Sequence, residues 1–341
     1  MKARLELIPI KDGHWGSADG ASQDANASRR FTKSEWEMTM SQSVMNEVLP
    51  DDQQEPRQEG ARKTANRFAD LGVHVTGTES DAAVVSAAAK LGEMFGAHLE
   101  GLLTNHIPAP PAVAAPGVDA LAADLRRRGT ETGNALFAKA KERLDGTGLR
   151  SDLRRVDGVA LDFVEATARL ARATDLFAIA QPGKNDVMMT PVLEGVLFNA
   201  GSAALIVPKE AAELGELETV LIAWRDTPEC ARAIAAALPL LQRASQVVLV
   251  SIAENGSDEE RHREPAADTA RHLARHGVNV EVRHVPRWKH PAEGILDQAQ
   301  IVGAGLIVLG AYGHSRLREM ILGGVTRELL ETSRLPLFMV H

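Results

Sequence analysis

One stretch of this 341-residue chain carries glycines that are spaced for binding an anion. It begins Gly310-Ala-Tyr-Gly313 and, after a nine-residue spacer, continues Gly323-Gly324-Val-Thr326. Glycine lets a backbone turn sharply with its N–H groups facing inward, and the N-terminus of a following helix adds partial positive charge. A phosphate group is the ligand that this chemistry favours. The alternative is that these glycines are turn residues in a domain that binds no ligand.

The glycine loop must be positioned by the elements on either side of it. From Ala69 onward, short apolar strands alternate with amphipathic helices, which is typical of βαβ units and a parallel sheet. The loop starts at the carboxyl end of the predicted strand Leu306–Gly310 and ends where a helix begins. Ligands of open α/β sheets bind at that edge, so the pattern predicts a binding crevice there.

The same order of strands and helices occurs twice along the chain. Residues 175–183 align with 305–313, and each segment holds an apolar strand that runs into a glycine. We predict two α/β domains with five-stranded parallel sheets, over 69–208 and 218–341, joined by a linker over 209–217. The predicted strands are 71–75, 99–103, 150–156, Leu176–Ala180 and 204–207 in the first domain, and 219–224, 247–252, 278–285, Leu306–Gly310 and 337–341 in the second.

Residues 1–66 differ in composition from the rest of the chain. Among positions 11–66, the only Phe, Leu, Ile or Val residues are Phe31, Val44, Val48 and Leu49. So little apolar surface does not offset the entropy lost when a chain becomes ordered. We therefore predict a mostly disordered leader, with a start codon assigned too far upstream as the alternative.

Charge and cysteine content exclude several classes of protein. The chain has 46 acidic and 38 basic residues and a net charge of −8, whereas a nucleic-acid binder needs a basic footprint. Cys230 is the only cysteine, which excludes an intrachain disulfide or a multi-thiolate metal site. The apolar runs are too short for a signal peptide or a membrane span. The sequence predicts a cytoplasmic protein with neither a nucleic-acid nor a membrane partner.

The glycine loop resembles the nucleotide-binding signature of the universal stress protein family, Gly-x2-Gly-x9-Gly-[Ser/Thr]. The resemblance extends over 69–341 as two family domains in tandem, and segments 221–230 and 336–341 are also similar to the family. It implies Rossmann-like domains of the adenine nucleotide alpha hydrolase type, each with strand order 3-2-1-4-5. It also implies that the last strands of the two domains pair in an intrachain pseudo-dimer, and that a stress-response protein acts through an unknown protein partner.

The resemblance further implies that the second domain binds or senses an adenine nucleotide, with ATP as ligand and Mg²⁺ only as its counter-ion. Carried over by position, Gly310 and Gly313 would line the β- and γ-phosphates. Gly323, Gly324 and Thr326 would lie at the helix start that receives them.

Three departures from the family pattern weaken that implication. Gly324 replaces the Ser or Thr after the third glycine, which removes a hydroxyl donor. The acidic residue that meets the ribose in binding members is displaced, because Arg225 stands at the strand end and Asp226, the candidate for that role here, follows one place later. His290 precedes Pro291 where the family carries glycine.

The first copy of the loop departs further from the signature. Ala180 replaces the first glycine, and only Gly183 is kept. Leu193 and Glu194 stand near the third glycine position, where a carboxylate at a helix start would repel phosphate. Thr76 stands at the end of the first strand, where an acid is expected. We predict that this copy is a structural partner.

No catalytic residue is identified from the sequence. Neither a general base nor a nucleophile stands beside the loop, so a slow ATP hydrolase, the least favoured hypothesis, has no assigned base. His272 and His276 lie four residues apart on a predicted helix and lack a third ligand, so we predict no metal site. The alternative to nucleotide binding is a ligand-free interaction scaffold of the same fold.

Overall fold

The computed structural model describes residues 67–110, 116–184, 186–210, 214, 217–252, 259–285, 290–311 and 324–341. The predicted leader, most of the linker and glycine-loop residues 312–323 lie outside this set. We refer to 67–210 as the first half and to 217–341 as the second half.

The described residues of each half form five strands and four helices in the same order. The first half has β1 (Asp70–Val75), α1 (Asp81–Phe95), β2 (His98–His106), α2 (Val118–Asp145), β3 (Ser151–Gly158), α3 (Ala160–Ala171), β4 (Leu176–Ala180), α4 (Met189–Asn199) and β5 (Ala203–Val207). The second half has β6 (Thr219–Ala223), α5 (Pro228–Leu241), β7 (Gln246–Ile252), α6 (Glu259–Arg275), β8 (Val280–Val285), α7 (Pro291–Ile301), β9 (Leu306–Gly310), α8 (Gly324–Thr332) and β10 (Leu337–Val340). All ten predicted strands are present.

The strands form one continuous sheet in the order β3-β2-β1-β4-β5-β10-β9-β6-β7-β8. Within each half the strands are parallel and follow the order 3-2-1-4-5, as the resemblance implied. The halves join through β5 and β10, which pair antiparallel with Leu205 opposite Phe338. The two five-stranded sheets are therefore parts of a single ten-stranded sheet.

Helices cover both faces of this sheet, so the central strands are apolar on both sides. Side chains of β5, β6 and β10 such as Ile206, Leu221 and Phe338 have no exposed surface. Parallel sheets that are buried on both faces need such uninterrupted apolar strands. The apolar cluster on each face contains residues of both halves, so the core is continuous across the join. Among the helices described, none combines the length and apolar character that crossing a membrane requires.

Cleavage of the chain near Glu213 is expected to leave the two halves associated. Separation would expose β5 and β10 as apolar edge strands, which is the arrangement most prone to new pairing. Gel filtration after digestion at an inserted protease site measures the outcome. A matched variant with Leu205→Asp removes the apolar contact and is expected to dissociate or unfold after cleavage. Two separate soluble halves from the unmodified pair would contradict the prediction.

Candidate functional site

A crevice opens where β6, β7 and β9 reach their carboxyl ends. Because β6 lies between β7 and β9, the strand order reverses here, which is where open α/β sheets bind ligands. Strand ends and the starts of α5, α7 and α8 supply the described lining residues: Ala223, Trp224, Arg225, Thr227, Cys230, Val250, Ser251, Ile252, Pro291, Ile295, Leu309, Gly310, Val325 and Thr326. The crevice thus lies at the edge that the sequence predicted.

Trp224 fixes the position of the chain as it leaves β6. Its backbone N–H donates to the carbonyl of Val250 at 2.8 Å, and its indole Nε1 donates to Thr269 Oγ1 of α6 at 3.2 Å. The side chain is 7 % exposed. Arg225 follows as an exposed residue and is the sole charged side chain among the described lining residues. The crevice therefore carries a positive group beside a rigid strand end.

The start of α5 follows directly after this arginine. Thr227 is the N-cap and accepts a hydrogen bond from the backbone N–H of Cys230 at 3.3 Å, with Pro228 at the first helical position. Cys230 is buried, and it also lines the crevice. Burial raises the pKa of the Cys230 thiol to about 11, so the thiol stays protonated at neutral pH.

Gly310 has a packing role that is independent of any ligand. A Cβ at this position would lie 2.5 Å from the backbone N of Cys230 and 2.7 Å from the backbone carbonyl carbon of Glu229. Only glycine therefore permits the start of α5 to lie so close to the end of β9. Gly310 also lines the crevice, so its position is compatible both with close packing of α5 and with close approach of a ligand.

The other predicted site residues are distributed unevenly. Thr326 is 7 % exposed and lines the crevice from the first turn of α8. Gly324 is exposed at the start of that helix, and a Cβ there would meet nothing within 4 Å. Asp226 is exposed between two lining residues without itself being among them. Gly313 and Gly323 lie outside the described residues.

Ser251 and Pro291 are lining residues that the sequence analysis did not assign to a site. Ser251 is 5 % exposed near the end of β7, and Pro291 is the first residue of α7. Both could have been predicted from their place in the fold, because the end of β7 and the start of α7 lie at the same edge of the sheet as the end of β9.

In the first half, the connection between β1 and α1 corresponds to the β6–α5 connection of the crevice. Its backbone donors are occupied by a carboxylate of the chain itself. Asp81, at the start of α1, is 2 % exposed and accepts hydrogen bonds from the backbone N–H groups of Thr76 at 2.9 Å and Gly77 at 2.7 Å. It also accepts from Thr76 Oγ1 at 2.8 Å. This acid was not predicted, because the family pattern places its acid at the end of the first strand, where Thr76 stands.

Helix α2 closes the same loop from outside. Gly77 has φ +73°, and a Cβ there would lie 2.6 Å from the carbonyl oxygen of Leu136. Arg143 donates to the carbonyl of Thr78 at 2.5 Å and to Glu79 Oε2 at 3.1 Å. The end of β1 is thus bound on one side by a buried carboxylate and on the other by a helix.

The expectation that Glu194 stands at a helix start is wrong. Helix α4 begins at Met189, so Leu193 and Glu194 lie in its second turn. Leu193 is 2 % exposed in the core, and partial burial raises the pKa of Glu194. The carboxylate at the start of α4 is instead that of Asp186, whose Oδ1 accepts from the backbone N–H groups of Met188 at 3.1 Å and Met189 at 2.9 Å.

One group of metal-capable side chains lies away from the crevice and was not predicted. His98 Nε2 is 3.2 Å from Asp152 Oδ2 and 3.5 Å from Glu100 Oε1, because alternate residues of β2 face the same side as the paired residue of β3. Arg154 Nη2 lies 3.2 Å from Glu100 Oε2. These charges compensate one another within the chain.

His272 is exposed in the last turn of α6, whereas His276 is exposed in the turn that follows, because the helix ends at Arg275 and not beyond His276 as expected. Their rings meet edge to face at 4.7 Å. Among the described residues, no third metal-capable side chain joins this pair.

The strand order and the crevice define a Rossmann-like α/β protein. Residues 216–341 match the model of the Universal stress protein family. Comparison with curated proteins finds no match.

Solved structures with the same fold cover both halves. A universal stress protein from Archaeoglobus fulgidus DSM 4304 is 15 % identical, with 80 % of this chain and 95 % of that chain covered and a TM-score of 0.62. A putative universal stress protein from Pseudomonas aeruginosa UCBPP-PA14 is 16 % identical, with coverage of 81 % and 94 % and a TM-score of 0.51. A functionally unknown protein from Pseudomonas aeruginosa PAO1 is 15 % identical, with coverage of 82 % and 94 % and a TM-score of 0.50. At these identities the likeness shows the fold.

Proposed function

We propose that this chain is a cytoplasmic stress-response protein whose second half binds an adenine nucleotide. ATP is the proposed ligand, with Mg²⁺ only as its counter-ion. The observation that carries the proposal is the crevice at the strand-order reversal beside β6, lined by the starts of three helices. The match of residues 216–341 to the model of the universal stress protein family supports the same assignment.

The lining residues suit the two ends of a nucleotide. β7 and α7 supply apolar side chains, Val250, Ile252 and Ile295, which suit a base. The β6–α5 connection and α8 supply Arg225 and Thr326, whose cationic and hydroxyl groups suit phosphate and ribose oxygens. We therefore orient the base toward β7 and the phosphates toward the start of α8, where Gly323 and Gly324 stand in the sequence.

We propose that the output is binding of a protein partner rather than turnover. General-base catalysis needs a carboxylate, an imidazole or a comparable group within hydrogen-bond reach of the reacting water. Among the described lining residues there is neither a carboxylate nor an imidazole. The second candidate function is a ligand-free scaffold, which the packing role of Gly310 favours because it explains that glycine without a phosphate.

Calorimetric titration with ATP is expected to give one site per chain. The first half is excluded because Asp81 holds the backbone donors after β1 and Leu136 covers Gly77. Mass analysis of nucleotide released by heat denaturation of the purified protein checks for a ligand carried through purification. A stoichiometry near two would contradict the asymmetry, and no binding at all would favour the scaffold.

Cys230 provides an internal reporter for the same crevice. As the only thiol in the chain, buried and with a raised pKa, it is expected to react slowly with a disulfide reagent at pH 8. ATP is expected to slow the reaction further, because the residue lines the crevice. The urea-unfolded chain is the control and should react rapidly with or without ATP. Equal rates in the folded protein with and without ATP would place the ligand elsewhere.

A further inference from the structure

We propose that Gln181 of the first half caps the C-terminus of α8 and thereby positions the helix that opens the nucleotide crevice. Gln181 is the second residue of the degenerate copy of the glycine loop. The first half is then a positioning element for the second half's site. The effect on nucleotide affinity rests on the proposed function, whereas the cap itself does not.

The backbone shows that Gln181 and Ala311 are counterparts in the two halves. Each is the first residue after the fourth strand of its half. The N–H of Gln181 donates to the carbonyl of Val207 at 2.7 Å, and the N–H of Ala311 donates to that of Val340 at 2.7 Å. In the second half the side chain at this position is the methyl group of Ala311. In the first half it is the amide of Gln181, which is long enough to reach the second half across the β5–β10 pairing.

The amide of Gln181 satisfies a carbonyl that a helix end leaves without an intrahelical donor. Its Nε2 donates to the carbonyl oxygen of Leu330. Leu330 is among the last four residues of α8, whose carbonyl groups have no N–H within the helix. The neighbouring carbonyl of Leu329 accepts from the N–H of Ser333 at 2.9 Å within the second half. Leu330 is 7 % exposed, and an unpaired carbonyl in such a setting is costly.

The cap bears on the crevice because α8 is short. The helix has nine residues, and helices of that length are marginal without tertiary contacts. Val325 and Thr326, which line the crevice, lie within its first turn. Fixing the last turn therefore fixes the residues that face the crevice little more than one turn away.

A second contact links the first half to the segment before the glycine loop. The ring of Phe198 in α4 packs edge to face on the ring of His341 at 4.7 Å. His341 Nδ1 lies 3.1 Å from the carbonyl oxygen of Ala311. Because a carbonyl oxygen only accepts, Nδ1 carries the proton in this bond. The first half thus contacts α8 directly and reaches the residue after β9 only through His341.

Three substitutions of Gln181 in the full chain test the cap. Gln181→Glu keeps the shape but removes the donor and places negative charge at a helix C-terminus, whereas Gln181→Ala only removes the donor. Gln181→Lys keeps a donor and adds favourable charge. Hydrogen exchange at the amides of α8 is expected to speed up about five-fold in the alanine variant, as for the loss of one net hydrogen bond. It should rise further in the glutamate variant and stay near the original rate with lysine.

ATP affinity is expected to follow the same order, with a loss of about five-fold for alanine and more for glutamate. Gln242→Glu is the matched control, because Gln242, directly after α5, also donates from Nε2 to a backbone carbonyl, that of His276, which lies outside α8. That variant should change neither quantity. A purely packing role for Gln181 predicts that lysine is as harmful as alanine.

Equal exchange at α8 in all three Gln181 variants and the original protein would overturn the proposal. So would faster exchange spread evenly over α1 and α5. If the glutamate variant does not fold, the alanine and lysine variants decide between the two outcomes. If the original protein binds no ATP, the proposed function fails, while the order of exchange rates still decides whether the cap exists.

Discussion

Gly310→Ala is expected to lower the melting temperature of the protein by about 5 °C. The added Cβ would lie 2.5 Å from the backbone N of Cys230, and backbone atoms cannot move aside as the end of a flexible side chain can. Forcing extra atoms into a packed core costs about 1–3 kcal/mol. For a domain of this size each kcal/mol lowers the midpoint by roughly 2–4 °C. Thermal unfolding followed by circular dichroism measures the shift.

Gly183→Ala is the matched control for that experiment. Gly183 belongs to the first half's copy of the loop, and a Cβ there would meet nothing within 4 Å. This variant should melt within about 1 °C of the original protein, because surface substitutions change stability little. If the melting temperature of Gly310→Ala is also within about 1 °C of that of the original protein, the close approach of α5 to β9 does not restrict position 310.

The result bears on what a glycine motif can prove. If Gly310 is required by the approach of α5, its presence does not by itself indicate phosphate binding. The first half is consistent with this view, since Ala180 occupies the equivalent strand end there. Evidence for the ligand then has to come from Thr326, Arg225 and measurements at the start of α8.

Local patterns predicted the framework of the molecule well. Strands Leu176–Ala180 and Leu306–Gly310 were predicted to the residue, because their apolar runs are bounded by polar or glycine residues. The start of α5 is likewise predictable from local sequence, since Thr227 and Pro228 are a cap and a first-turn residue whose roles depend only on neighbours in sequence. The pairing of β5 with β10 followed from the family resemblance and is confirmed.

Contacts between distant residues were not predictable in the same way. Helix α2 contacts Gly77 through Leu136, which lies far along the chain and which no local pattern indicates. The amide of Gln181 reaches a carbonyl 149 positions away in the chain. Comparison with a motif assigns each function to a fixed position in the sequence. It therefore overlooks a side chain that reaches the same site from another helix or strand.

Gly324→Ser is expected to tighten ATP binding about ten-fold. The substitution restores the hydroxyl that the family signature carries, and a hydrogen bond to a charged group contributes about 1.5–3 kcal/mol. A Cβ at Gly324 would meet nothing within 4 Å, so the added side chain costs no packing. Calorimetric titration measures the dissociation constant.

Gly324→Ala separates the hydroxyl from a simpler effect on the helix. Replacing glycine by alanine stabilises a helix by restricting the unfolded backbone, and serine shares part of that gain. The alanine variant should raise the stability of α8 with little change in ATP affinity. Equal tightening by alanine and serine would show that helix order, rather than a new donor, raises the affinity.

Gly323→Val is the opposite test at the adjacent position, and it is expected to abolish ATP binding with little loss of stability. The sequence places this glycine immediately before α8, where the resemblance implies that phosphate meets the helix start. If phosphate lies there, as the resemblance implies, a branched side chain is expected to compete with it for the same space. Gly183→Val, in the first half's loop, is the control and should leave ATP binding unchanged. Undiminished binding in Gly323→Val would remove the glycine loop from the site, even if the serine variant at 324 had tightened it.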